Sequence, residues 1–222
     1  MGAPPDVWAA IWTAMPSLLR GLLVTIEISG LAIAVGTALG LLAGIVLAYA
    51  PALARAPVRA YVDVIRGIPV LVLIFACFYG LPFAGLQVDA FQAGAIALAA
   101  FATAHITEVV RGGIESIPHG QNDAAKAIGL HFTERLRFVI LPQAMRRMLP
   151  PWVNAAVEMV KGSSLVSLIG VVDLLLAMQQ VVGRTFIVIP FYAVAALFYF
   201  TINFSMSQTA ALLERRFAYL RY

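Results

Sequence analysis

A few ionisable side chains, set among apolar ones, carry what chemistry this chain has. Glu108 and Arg111 are three residues apart, and so are Glu158 and Lys161. At that spacing both members of a pair share one helical face. Glu108 and Arg111 predict a structural ion pair. Glu158 and Lys161 leave two readings open: a bridge to each other, or a carboxylate and an ammonium offered together to a zwitterion. Glu158 would also suit a cationic side chain. Asn154, one turn before Glu158, and Ser164, just after Lys161, extend the same candidate cavity wall. His105, one turn before Glu108, either makes a structural hydrogen bond or lines that cavity, and Glu27 has no assigned role. Bond-making chemistry is not suggested. His105, His119 and His131 lack metal-ligand spacing, and no nucleophile motif stands out. Lys126 and Lys161 follow Ala125 and Val160 rather than the glycine-rich turn of a phosphate-binding loop. These residue types fit binding and passage rather than catalysis.

The elements that must position them are apolar. Of 222 residues, 62% are hydrophobic and 12% charged, far from the balance of a soluble domain. The composition predicts an all-α integral membrane protein, in which an ionisable group at membrane depth is costly and marks a candidate functional site. Five spans are expected: about 18–50, a core at 69–82, 91–110, 149–182 broken near Lys161–Gly162–Ser163–Ser164, and 187–213. Gly36, Gly40 and Gly44, each four apart, predict a strip along which another helix packs closely. Cys77 reads as a small buried hydrophobe. The proline-rich stretch from Pro51 to Tyr61 reads as a loop. Trp8 and Trp12 suggest a short segment at the membrane interface, and the chain's start lacks the basic, short-cored pattern of a cleaved signal peptide.

Positive charge sets an expected orientation. With five spans, Arg55, Arg59, Arg111, Lys126, Arg135, Arg137, Arg146, Arg147, Arg215, Arg216 and Arg221 share one side. Arg20 and Arg184 fall on the other. The middle polar segment and the C-terminus are therefore expected in the cytoplasm and the N-terminus outside. The whole chain, 1–222, reads as one membrane domain without internal repeats. Five helices would more naturally line a pathway after pairing with a second copy or a similar chain.

The polar segment, 111–147, breaks the apolar pattern. Asn122 or Asp123 is expected to cap a short helix, about 121–130, that Gly129 ends in a left-handed cap. Thr133 is expected to cap a second helix, and Pro142 to mark the next boundary. A helix this short needs outside support in water. The segment is either a connecting loop or a knob for another protein's groove.

"GQNDAAKAIGL" followed by "VILPQA" resembles the EAA loop of bacterial ABC importer permeases, with Asp123-Ala124-Ala125, Gly129 and Ile140-Leu141-Pro142 in the motif's places. "RGIPVLVLIF", "EVVRGGIESIPHGQ", "LPQAMRRMLPPWVN" and "KGSSLVSLIG" resemble segments of the polar amino-acid (histidine and glutamine permease) subfamily, so the likeness covers about residues 20 to 215. It implies a type I importer (MetI-like) permease fold in the bacterial inner membrane. Two permease chains, identical or homologous, would form the pore. An ABC ATPase dimer, holding ATP and Mg, would seat the loop's coupling helix through Gly120, Asp123, Ala124, Ala125, Lys126 and Gly129. An extracytoplasmic binding protein would deliver an amino acid. This chain itself would need no cofactor and would not hydrolyse ATP. Asp123 replaces the usual Glu. Gly162-Ser163-Ser164 stands where Asp-Thr-Ser is usual, and Glu158 is an unusual acid, which sets the substrate apart from the typical member's. The competing reading is a self-sufficient secondary transporter or channel using Glu27, Glu108 and Glu158 as ion sites.

Overall fold

The structure, a computed structural model, describes residues 6–218, with side chains through Leu212. The described residues are almost entirely helical. In order they form α1 (Val7–Tyr49), α2 (Ala52–Gly67), α3 (Val70–Phe83), α4 (Ala90–Glu115), α5 (His119–Ala127) and α6 (Phe132–Glu134). A π-helical segment (Arg135–Ile140) leads into α7 (Leu141–Gly162). A 3₁₀ segment (Ser163–Ile169), α8 (Leu174–Thr185) and α9 (Val188–Ala218) complete the order. α1, α4 and α9 are each long and apolar enough to cross a membrane. The number rises to five if α2 with α3, and the stretch Phe132–Ile169 with α8, each count as one bent span. Arg221 lies outside the described residues, as do the side chains of Arg215 and Arg216.

Several expectations change. The segment with Trp8 and Trp12 is not separate from the first span: α1 is one helix of 43 residues beginning at Val7, with both indoles exposed. The Pro51 stretch is not a loop. Pro51 takes the N-cap position of α2, and Pro57 is carried inside it. Packing of the helix's inner face outweighs the local cost of the proline. A 107° bend separates α2 from α3, at a break that falls before Val70. The break in the fourth region is not at Lys161–Ser164. Gly162 keeps right-handed helical angles, and the chain tightens there into the 3₁₀ segment. The true interruption follows Gly170, whose φ of +89° only glycine adopts without strain.

Two compact units share these helices. The first takes the chain up to Ala32, Val70–Leu98 and Glu158–Ser205; the second takes Ile33–Pro69, Ala99–Val157 and the chain from Met206. In the first, Leu18, Leu174, Met178 and Phe191 are fully buried together where α1, α8 and α9 pack. In the second, the strip of glycines on α1 lies against α4. A Cβ added at Gly36 would come 2.5 Å from that of Ala102. One at Gly40 would come 2.8 Å from Ile106 Cγ2, and one at Gly44 would come 2.5 Å from Val110 Cβ. Lipid tails are as apolar as leucine, so helices in a membrane gain from close contact more than from burial, and small residues permit that contact. Trp152 Nε1 adds a hydrogen bond to Thr37 Oγ1 at 2.9 Å, tying α7 to α1 in this unit.

Candidate functional site

The polar segment folds into a braced protrusion. α5 starts after Pro118, with no side-chain cap. Asn122 and Asp123, expected as caps, lie inside it. Pro118 fits because a residue ahead of the first turn needs no N–H of its own. At the other end Gly129 has φ +84°. The Gly129 N–H donates to the Lys126 carbonyl at 2.9 Å, and the Leu130 N–H to the Ala125 carbonyl at 3.1 Å. This paired arrangement satisfies two carbonyls that the helix end would otherwise orphan. Thr133 is not the next cap. His131 is, and its N–H donates to Glu134 Oε2 at 2.8 Å.

No boundary falls at Pro142 either: the helix runs through it into α7. The π turn just before widens the ladder where the proline ring would press on the carbonyl four residues earlier. Braces hold the protrusion to the same unit. Arg147 donates to the Ser116 carbonyl, and Gln143 reaches Gln121 at 3.4 Å. Within α5, Ala125 is 4% exposed and faces inward. Gly120, Asp123, Ala124, Lys126 and Gly129 are exposed, and Ile128 is 76% exposed. Lys126 and Asp123 pair at 3.3 Å on this outer surface.

At the polar end of α4, Glu108 joins more than its sequence neighbour. Its Oε2 accepts from Arg111 at 2.6 Å, and its Oε1 accepts from Arg59 of α2 at 2.8 Å. Arg111 also meets Glu115, and Arg59 lies 3.8 Å from Asp63. The result is a run of alternating charges about a carboxylate only 15% exposed. Arg59 is 49 residues away in sequence, so spacing gave no sign of it. His105 lies half-buried, its Nδ1 3.0 Å from the Phe101 carbonyl and its ring against that of Phe101. The structure thus gives His105 a local hydrogen bond.

Glu158 and Lys161 behave differently. Both are exposed, and among the described residues neither forms an ion pair. Asn154, a turn earlier on α7, is exposed as well. Ser164 donates to the Lys161 carbonyl at 2.8 Å. Glu27 is exposed on α1.

One acid escaped the sequence reading. Asp173 is fully buried. It caps α8 by accepting from the Leu176 N–H at 2.9 Å, and the Tyr199 hydroxyl lies 3.5 Å from its other oxygen. The Thr25 hydroxyl accepts from the Leu174 N–H at 3.1 Å, so two orphan donors at this helix start are satisfied. A signal did exist: Asp173 is the sole acid between Glu158 and Glu214.

An all-helical chain with several apolar helices, a closely packed glycine seam and a braced polar protrusion is built as a membrane permease. It belongs to the family of binding-protein-dependent transport system inner membrane components, whose model matches residues 36–219. It is 36% identical over 211 residues to the glutamine transport system permease protein GlnP of Escherichia coli (strain K12), covering 94% of this chain and 96% of that one. It is 38% identical over 157 residues to the probable glutamine ABC transporter permease protein GlnM of Bacillus subtilis (strain 168), covering 71% and 73%. With the octopine transport system permease protein OccM of Rhizobium meliloti the figure is 34% over 221 residues, covering 92% and 87%. Among solved structures, a chain of an amino acid ABC transporter with histidines superposes with a TM-score of 0.87 at 31% identity, covering 97% of this chain and all of that one. The methionine ABC transporter MetNI, in an inward-facing conformation, shares the fold with a TM-score of 0.79 at 20% identity, covering 91% and 96%. The chain is therefore an inner membrane protein with a MetI-like permease fold.

Proposed function

We propose that this chain is the pore-forming membrane subunit of an ATP-driven importer of polar amino acids, with its polar segment and C-terminus in the cytoplasm. It works beside a second permease chain, above an ABC ATPase dimer that holds ATP and Mg. An extracytoplasmic binding protein brings the solute. The build of α5 carries this reading. A helix of nine residues closed by a paired carbonyl cap and braced to α7 can transmit a rigid-body push, whereas a slack loop would absorb it. Its outward side chains are small or singly charged, except for Ile128, so a groove on another protein can close around them. The relatives' names, glutamine and amino-acid permeases, support the solute class and the ATP-driven machine rather than a self-sufficient carrier.

Glu158 and Lys161 supply the solute contact, with Ser164 beside them. Free of each other and open, they offer a carboxylate to an ammonium and an ammonium to a carboxylate. Glu158 also favours solutes with a cationic side chain.

Two measurements test the reading. In vesicles lacking the ATPase the chain should build no solute gradient; uphill accumulation without it sinks the proposal. Ala124→Trp, on the outer face of α5, should abolish co-purification of the ATPase while leaving the melting temperature in detergent unchanged. Full retention of the ATPase by that variant would remove α5 from the coupling role.

A further inference from the structure

The second unit holds a surface that pore formation does not use. At 100° per residue, α2 divides into three stripes. Val58, Tyr61, Val62 and Ile65 form the inner one and are half-buried or buried. Arg55, Arg59, Asp63 and Arg66 form the second. Leu53, Pro57, Ala60 and Val64 form the third; all are exposed, with Leu53 at 89% and Val64 at 57%. The charged and the bare apolar stripes flank the packed one on opposite sides.

Contacts with α4 fix the direction of these stripes. The Tyr61 hydroxyl donates to the Ala100 carbonyl at 2.7 Å, and Arg59 donates to Glu108 at 2.8 Å. Two residues along α2 is about 3 Å, but eight along α4 is about 12 Å. Side-by-side helices would give matched spacings, so α2 crosses α4 steeply. The charged stripe points toward the polar end of α4, where Arg111 and Glu115 lie. The apolar stripe points toward its middle, where α4 is membrane-spanning. Chain continuity adds a constraint: only Ala50 and Pro51 separate α2 from the apolar α1, and the apolar α3 follows within three residues. Both ends of a helix about 24 Å long are thereby held at the bilayer.

We propose that α2 lies in the plane of one membrane surface and binds the phospholipids there. Leu53, Pro57, Ala60 and Val64 sit among the acyl chains, and Arg66 and Arg55 contact the phosphates of anionic headgroups. Charge fits that occupant: the stripe carries three arginines against one aspartate. Arg59 is held by Glu108, and Arg55 spends only its Nε on the Ala50 carbonyl. Arg66 therefore faces outward without an ion pair among the described residues, as an interfacial amphipathic helix requires. The inference rests on the chain's being a membrane protein and is independent of the solute it carries.

Nitroxides on single cysteines at positions 53, 63 and 64 would test the first half, using the full chain with Cys77→Ser in phosphatidylcholine vesicles containing phosphatidylglycerol. Labels at 53 and 64 should collide with oxygen more, and with a water-soluble nickel chelate less, than the label at 63. Equal nickel access at all three positions overturns the proposal. So does shielding of 53 and 64 from both reagents, which would mean that a protein covers the stripe. For the headgroups, the chain's preference for spin-labelled phosphatidylglycerol over phosphatidylcholine should fall in Arg66→Gln, by up to about fivefold. It should fall further when Arg55→Gln is added. An unchanged preference in the double variant overturns the headgroup assignment.

Discussion

Two acid–base pairs in this molecule have the same sequence spacing and opposite fates. At the end of α4, Glu108 and Arg111 are drawn together, and a third charge from α2 completes the set. On α7, Glu158 and Lys161 sit at the same interval, exposed and apart. Spacing places two side chains on one face, but the surroundings decide whether they meet. Glu108 is kept from water by packed helices, so unpaired it would carry the cost of desolvation. Glu158 keeps its solvent and leaves its partner free. A committed pair builds structure, and an uncommitted pair is available to a ligand.

Disrupting the seam beneath the first pair should have the largest effect. Gly40→Leu drives a side chain into Ile106, whose nearest methyl is already 2.8 Å from where a Cβ would stand. A loss of about 3 kcal/mol is expected, read as a fall in melting temperature in detergent. Glu108→Gln comes next. It leaves Arg59 and Arg111 facing a neutral amide, and about 2 kcal/mol should be lost. Glu115→Gln, at the exposed end of the same network, should cost under about 0.5 kcal/mol. If Glu115→Gln proves as damaging as Glu108→Gln, burial is not what separates the two pairs. The smallest stability change belongs to Glu158→Gln and Lys161→Met, within about 0.5 kcal/mol of the parent. Those two variants should instead change solute preference and the stimulation of ATPase activity in the assembled importer. Unaltered transport in both would cancel their assignment as solute contacts.

Much of the fold was legible because its signals are local. Long apolar runs marked the spans, and the interval of Gly36, Gly40 and Gly44 announced a close approach that the structure shows against α4. Gly129 declared its left-handed cap. Nonlocal causes were hidden. Pro51 and Pro57 argued for a loop, and only the face that α2 packs on α4 overrides them. Asn122 and Asp123 are good caps by type, yet Pro118 begins the helix earlier. The π turn before Pro142 has no sequence periodicity to betray it. Asp173 was overlooked because it stands alone, and its partners Thr25 and Tyr199 come from distant helices. The outer face of the protrusion was half legible. The acid-Ala-Ala motif located it, but the two alanines have different duties: Ala124 faces out, and Ala125 fills the space beneath.

The widened turn at Arg135–Ile140 has a consequence for sequence change. A π turn amounts to one residue more than the α ladder requires, so deleting one residue there would let the helix close up without breaking. Everything after it would rotate by about 100° relative to what precedes it. The chain would still form a continuous rod, but its phase would slip. Arg147 would swing away from Ser116, and the protrusion would lose its footing while every individual helix survived.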